Sequence, residues 1–108
     1  MVKYYLKMKW EYTYDKEGTW FDRDSGQETY DLVEGADYPL PHIREKRIEI
    51  ESVSIEGDKV CVGLCVDHHT VDVRSDGDPA VASADHSYCV AGDCVDQSLS
   101  LTFTIEEK

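Results

Sequence analysis

Four cysteines and two of the four histidines stand in a mirrored arrangement, Cys65-Val66-Asp67-His68 against His86-Ser87-Tyr88-Cys89. Folding the segment between them back antiparallel would set His68 opposite His86 and Cys65 opposite Cys89, with Cys61 near Cys94. Three chemistries compete for such a cluster. Zinc is the first, because Cys-x3-Cys followed by Cys-x4-Cys lies inside the loose spacing of structural sites, with His68 or His86 replacing a thiolate. Two cysteines on one regular strand make a poor zinc knuckle, however. A disulfide is the second, since directly opposed strand residues approach closely enough for Cys65–Cys89. A Cys89–Cys94 bridge across Val90-Ala91-Gly92-Asp93 is a further form of it. The third is the plainest: cysteine is a small apolar residue often buried as a free thiol. Four packed, reduced cysteines are the preferred expectation.

Nucleophilic thiol chemistry needs a base within hydrogen-bond reach. An offset of three along a strand points Cys65 and His68, or Cys89 and His86, to opposite faces. No nucleophile elbow or other catalytic signature accompanies them. The chain is expected not to be an enzyme.

Carboxylates are the other abundant chemistry. Asp22-Arg23-Asp24-Ser25-Gly26, with Glu28 and Asp31, has the look of a calcium loop, but glycine stands where the third oxygen ligand belongs. Asp76-Gly77-Asp78 is shorter still. Both read better as turn tips, where Asp and Gly supply the geometry. No phosphate-cradling glycine loop or metalloprotease helix is present.

The net charge is −12, from 23 acids against 11 bases, and acids outnumber bases in both halves. Self-repulsion of this size favours solubility. It excludes direct nucleic-acid binding, which depends on Lys and Arg neutralising phosphates, and an acidic lipid surface by the same reasoning. Lys3, Lys7 and Lys9 interrupt any apolar signal-peptide core, and no stretch approaches the ~20 apolar residues of a membrane helix. The chain therefore reads as cytoplasmic, where thiols stay reduced.

The elements that must position these residues are strands. Val2, Tyr4, Leu6, Met8, Trp10, Tyr12 and Tyr14 alternate with polar residues, which predicts one long strand with a buried face. Trp20-Phe21 and Tyr30-Leu32 flank Asp24-Ser25-Gly26 as a second, weaker hairpin. Residues 35–41 hold two prolines and are expected to be irregular, with Tyr38 and Leu40 pinning the loop to the core. Ile48 and Ile50 share one parity and Val53 and Ile55 the other, which predicts a β-bulge at Glu51-Ser52. Gly57-Asp58 is a two-residue turn pairing Glu56 with Lys59. Its ladder then sets Ile55 on Val60, Val53 on Val62, Ile50 on Leu64 and Ile48 on Val66. The mirrored stretch would extend that sheet, Val66 meeting Tyr88 and Leu64 meeting Val90. Residues 70–74 look extended and 75–85 look like a loop. Leu99, Leu101, Phe103 and Ile105 mark a last strand.

These signals indicate a single all-β domain over 1–108, a small antiparallel β-sandwich or barrel of six to eight strands with little or no helix. The functional expectation is a small acidic binding module docking a positively charged protein surface, such as that of a nucleic-acid-binding protein. Its candidate contacts are Asp22, Asp24, Glu28, Asp31, Asp67, Asp72, Asp76 and Asp78. The sharpest form is a phage-type inhibitor imitating nucleic acid, as anti-restriction and anti-CRISPR proteins do, although no motif of theirs is present. Two other classes remain open: a zinc- or disulfide-stabilised module built on Cys61, Cys65, Cys89 and Cys94, and a structural assembly subunit.

Overall fold

A computed structural model describes residues 4–17 and 20–108. Among these residues eight strands run in chain order: β1 (Tyr4–Lys16), β2 (Trp20–Asp31), β3 (Asp37–Pro39), β4 (Arg47–Glu56), β5 (Lys59–Val66), β6 (His69–Arg74), β7 (Ala80–Val90) and β8 (Asp93–Glu107). They form two four-stranded antiparallel sheets, one ordered β2-β1-β8-β7 and the other β3-β4-β5-β6. The fold is an all-β sandwich with no helix among the described residues.

The alternation of β1 does what period two requires. Leu6, Met8 and Tyr12 point inward beside Leu99, Leu101 and Phe103 of β8, and the second sheet answers with Ile48, Ile50, Val60, Val62, Leu64 and Val66. All of these are buried, and no polar or charged residue is buried with them among the described residues. Val2 lies outside the described residues.

The β4–β5 hairpin has the expected register, with Glu56 on Lys59, Ile55 on Val60, Val53 on Val62, Ile50 on Leu64 and Ile48 on Val66. Its ladder shifts between Ile50 and Ser52. The extra residue turns the strand so that both apolar pairs keep to one face. The Val53 N–H beyond the bulge donates to Glu34 Oε1 at 2.9 Å. Leu40 is buried and Tyr38 half-buried, as expected of a pinned loop, although residues 37–39 pair with β4 as a short edge strand.

Three expectations are corrected. Residues 20–32 are not a hairpin: Asp24-Ser25-Gly26 sits in the middle of β2, which pairs with β1 from Trp20 to Asp31. The chain turns before Trp20, and a polar edge strand needs no apolar pattern. Residues 75–85 are not all loop, because β7 begins at Ala80, its small residues lying against β8. The mirrored stretches do not pair. Asp67 and His68 adopt positive φ, 47° and 67°, and form a tight turn that folds β6 onto β5, so Cys65 faces Thr70. Such turns usually advertise themselves with glycine, and this one has none. Cys89 belongs to the other sheet, on β7.

Candidate functional site

The two sheets differ in length. At about 3.4 Å per residue, the 15 residues of β8 reach about 50 Å and the 8 of β5 about 27 Å. The molecule is correspondingly elongated, 55 × 21 × 20 Å. One end of the longer sheet therefore extends past the sandwich, and its inward face carries different residues there. Register places Asp24 beside Tyr12 and Leu99, Asp22 beside Tyr14, Gln97 and His86, and Trp20 beside Lys16, Val95 and Tyr88. Alternation still aims these side chains inward, where the core would be if the second sheet continued.

The loop between β3 and β4 closes the core at this boundary. His42 adopts φ 63°, a left-handed conformation unusual outside glycine. That backbone lays its ring flat on Tyr12, centroids 4.2 Å apart and planes 11° apart, and edge-on to Trp10 at 5.2 Å. Its Nε2 meets Asp24 Oδ2 at 2.8 Å. The Asp24 carboxyl is held below its ordinary value, chiefly by His42 and then by the Ser25 N–H. Gln97 Nε2 donates to the Tyr12 hydroxyl from below. Beyond this clamp lies an open groove of about 690 Å³ lined by Tyr12, Tyr14, Trp20, Asp22, Asp24 and His42, and also by the cations Lys16 and Arg23. Trp20 is 62% exposed. Tyr88 is held above its ordinary value by desolvation first and then by Tyr14.

β2 is the outer strand of this sheet, exposed at every position except Tyr30. The N–H groups of Arg23 and Ser25 donate to Asp22 Oδ1 and Asp24 Oδ1, each at 2.9 Å. Gly26 faces Trp10, and a Cβ there would come within 2.7 Å of the indole. The ring thus lies across the strand at its one residue without a side chain, and its buried Nε1 has no hydrogen-bond partner among the described residues.

The eight candidate acids do not form one site. Asp22, Asp24 and Glu28 share the groove-facing side of β2, and Asp31 closes the same strand. Asp31 meets Lys108 at 3.1 Å. Asp67, Asp72, Asp76 and Asp78 belong to the other sheet and its connections. There Asp67 is tied to Lys46 at 3.1 Å and Asp76 to Arg74 at 3.4 Å. Asp22, Glu28, Asp72 and Asp78 have no ion-pair partner among the described residues.

The cysteine cluster dissolves. Cys89 and Cys94, directly opposite at the end of β7–β8, form a disulfide. Cys61, exposed, and Cys65, half-buried, are free on the other sheet. Four packed reduced thiols and a Cys65–Cys89 bridge are both corrected, and the shorter bridge across the turn is the one formed. The argument for a reducing compartment loses its footing with it. His68 lies in the β5–β6 turn, while His86 packs on Tyr88 at 5.5 Å. Among the described residues no three His, Cys, Asp or Glu side chains gather where they could hold a metal ion, so the zinc expectation has no ligand set there. Among the described residues no helix is long and apolar enough to cross a membrane.

His42 is the residue that sequence reasoning missed. It carries no motif, and its partners stand far away along the chain. No protein-family model, curated protein or solved structure matches the chain.

Proposed function

We propose that the protein is a non-enzymatic binding module that docks a positively charged protein surface through β2 and the groove beside it. One observation carries the reading. The edge strand is exposed along its length, and Asp22, Asp24 and Glu28 share its groove-facing side. Carboxylates placed this way raise the on-rate of a basic partner and disfavour acidic ones. Aromatic rings alongside, Tyr14 and Trp20, add faces on which a guanidinium or ammonium can rest.

Charge density narrows the nucleic-acid-imitating form. A net charge of −12 along 55 Å is one charge per roughly 4.6 Å, against about 1.7 Å for duplex DNA and about 3.4 Å for one strand. A groove built for single strands is the better complement.

Calorimetric titration of polylysine into the protein, at several NaCl concentrations, tests the reading. Binding is expected at low salt and to weaken steeply as salt rises. A triple variant D22N/D24N/E28Q should lose at least tenfold in affinity, and D72N/D76N/D78N clearly less. Absence of binding at low salt, or equal losses in the two variants, would sink the proposal.

A further inference from the structure

The free edge of β2 is twelve residues of strand whose outer side has no neighbour in the sheet among the described residues. Backbone hydrogen bonds in an antiparallel pair alternate, so every second residue turns its N–H and C=O away from the partner strand. Arg23 and Ser25 mark the outward set, because their N–H groups donate to the carboxylates of the residues before them. By the same alternation Gln27 and Thr29 turn outward, and no side chain among the described residues takes their N–H groups. Long exposed edges invite strand addition. Asp22 and Asp24 guard one half of this edge, and the other half is open.

We infer that an extended basic segment of the partner adds to β2 as a fifth strand of the longer sheet. This rests on the docking function proposed above and specifies its geometry. Main-chain hydrogen bonds along Arg23, Ser25, Gln27 and Thr29 supply affinity, and alternate side chains supply selectivity. On the groove-facing side the added strand meets Glu28, Gly26, Asp24 and Asp22 in turn. At the Gly26 row the half-buried Trp10 indole lies across the strand and offers an apolar neighbour. The complementary segment is therefore basic, apolar, basic, basic at every second residue when it runs antiparallel. As it docks, Asp22 and Asp24 release the Arg23 and Ser25 N–H groups to the incoming carbonyls and turn to its cations. A second copy of this chain is a poor occupant, since its acids would face these acids.

Fluorescence anisotropy with a labelled Lys-Thr-Leu-Thr-Lys-Thr-Lys peptide tests the inference. Three comparisons accompany it: a same-composition peptide with its lysines moved to both parities, the original peptide N-methylated at alternate residues, and the Gln27→Pro protein. The Gln27 N–H faces away from β1, so proline there should leave the sheet folded. The patterned peptide should bind at least tenfold tighter than the shuffled one, and both methylation and Gln27→Pro should cost at least tenfold. If Gln27→Pro unfolds the strand, the methylated peptide decides alone. Equal binding of all three peptides overturns strand addition while leaving electrostatic docking in place. So does binding of a basic folded protein with no peptide binding, or a dimer of this chain that the peptide does not dissociate. Failure of every basic probe removes the docking function as well.

Discussion

At the scale of single residues, the longer sheet depends on what Gly26 lacks. A β-carbon there meets the rigid indole of Trp10 at 2.7 Å, whereas one at Gly63 meets the Ser52 Oγ at 2.6 Å, which can rotate away. Gly26→Ala should therefore cost about 1–3 kcal/mol, the usual range for overpacking, and Gly63→Ala under about 1 kcal/mol. Urea denaturation compares them, and equal costs would mean that the indole yields as readily as the hydroxyl. Tyr30 offers a pH test. Burial, then the Glu28 carboxylate, then Tyr38 push its phenol up to about 12. Its folded value stands above the unfolded one, so its contribution to stability is complete below about 10. That contribution is lost as pH rises from there through about 12. Absorbance titration should show late-ionising tyrosine absorbance, and Tyr30→Phe should remove the part of it that ionises near 12. Asp24 has the opposite sign: its lowered value contributes stability above the unfolded carboxylate range, lost as pH falls below it.

Among the elements, the β7–β8 hairpin joins two environments. Its proximal half buries Ala84, Leu99, Leu101 and Phe103 in the core, and its far end projects past the second sheet, closed by Cys89–Cys94. Ala91 and Gly92 make the turn there with positive φ, 52° and 86°. Closing so short a loop removes little unfolded-state entropy, about 2 kcal/mol in the chain-entropy account. Reduction, or Cys89→Ser with Cys94→Ser, should raise amide exchange at residues 88–96 while leaving β8 beyond Leu99 protected. Uniform loss of protection would instead mean that the tip and core unfold together. Register was legible wherever both strands of a pair carried an apolar code, as in β4–β5, bulge included. It was illegible for β5–β6, whose Asp67-His68 turn lacks glycine. It was equally hidden in β2, whose exposed residues obey no hydrophobic pattern.

For the whole molecule, charge and shape act together. With no acid buried among the described residues, the −12 net charge is carried on the surface of a narrow body. Its self-repulsion is screened as the Debye length falls from about 30 Å at 0.01 M salt to about 8 Å at 0.15 M. Added NaCl over that interval should raise Tm by a few degrees while weakening binding of basic ligands. A Tm indifferent to salt would show that repulsion costs this fold little. Opposite responses of stability and binding to one variable also separate surface electrostatics from damage to the fold.

Sequence alone determined the fold class, the long first and last strands, the β4–β5 register with its bulge, and the excess of negative charge. Each is written locally, in alternation, turn residues or composition, and needs no knowledge of what lies across the core. Only the tertiary structure decided that the mirrored cysteine and histidine motifs fall on separate sheets, that Cys89 bonds Cys94, and that His42 clamps Tyr12 and Asp24. Those outcomes depend on which strand each edge chooses. Similar residue patterns would have served more than one choice, and packing of the complete sandwich selects among them.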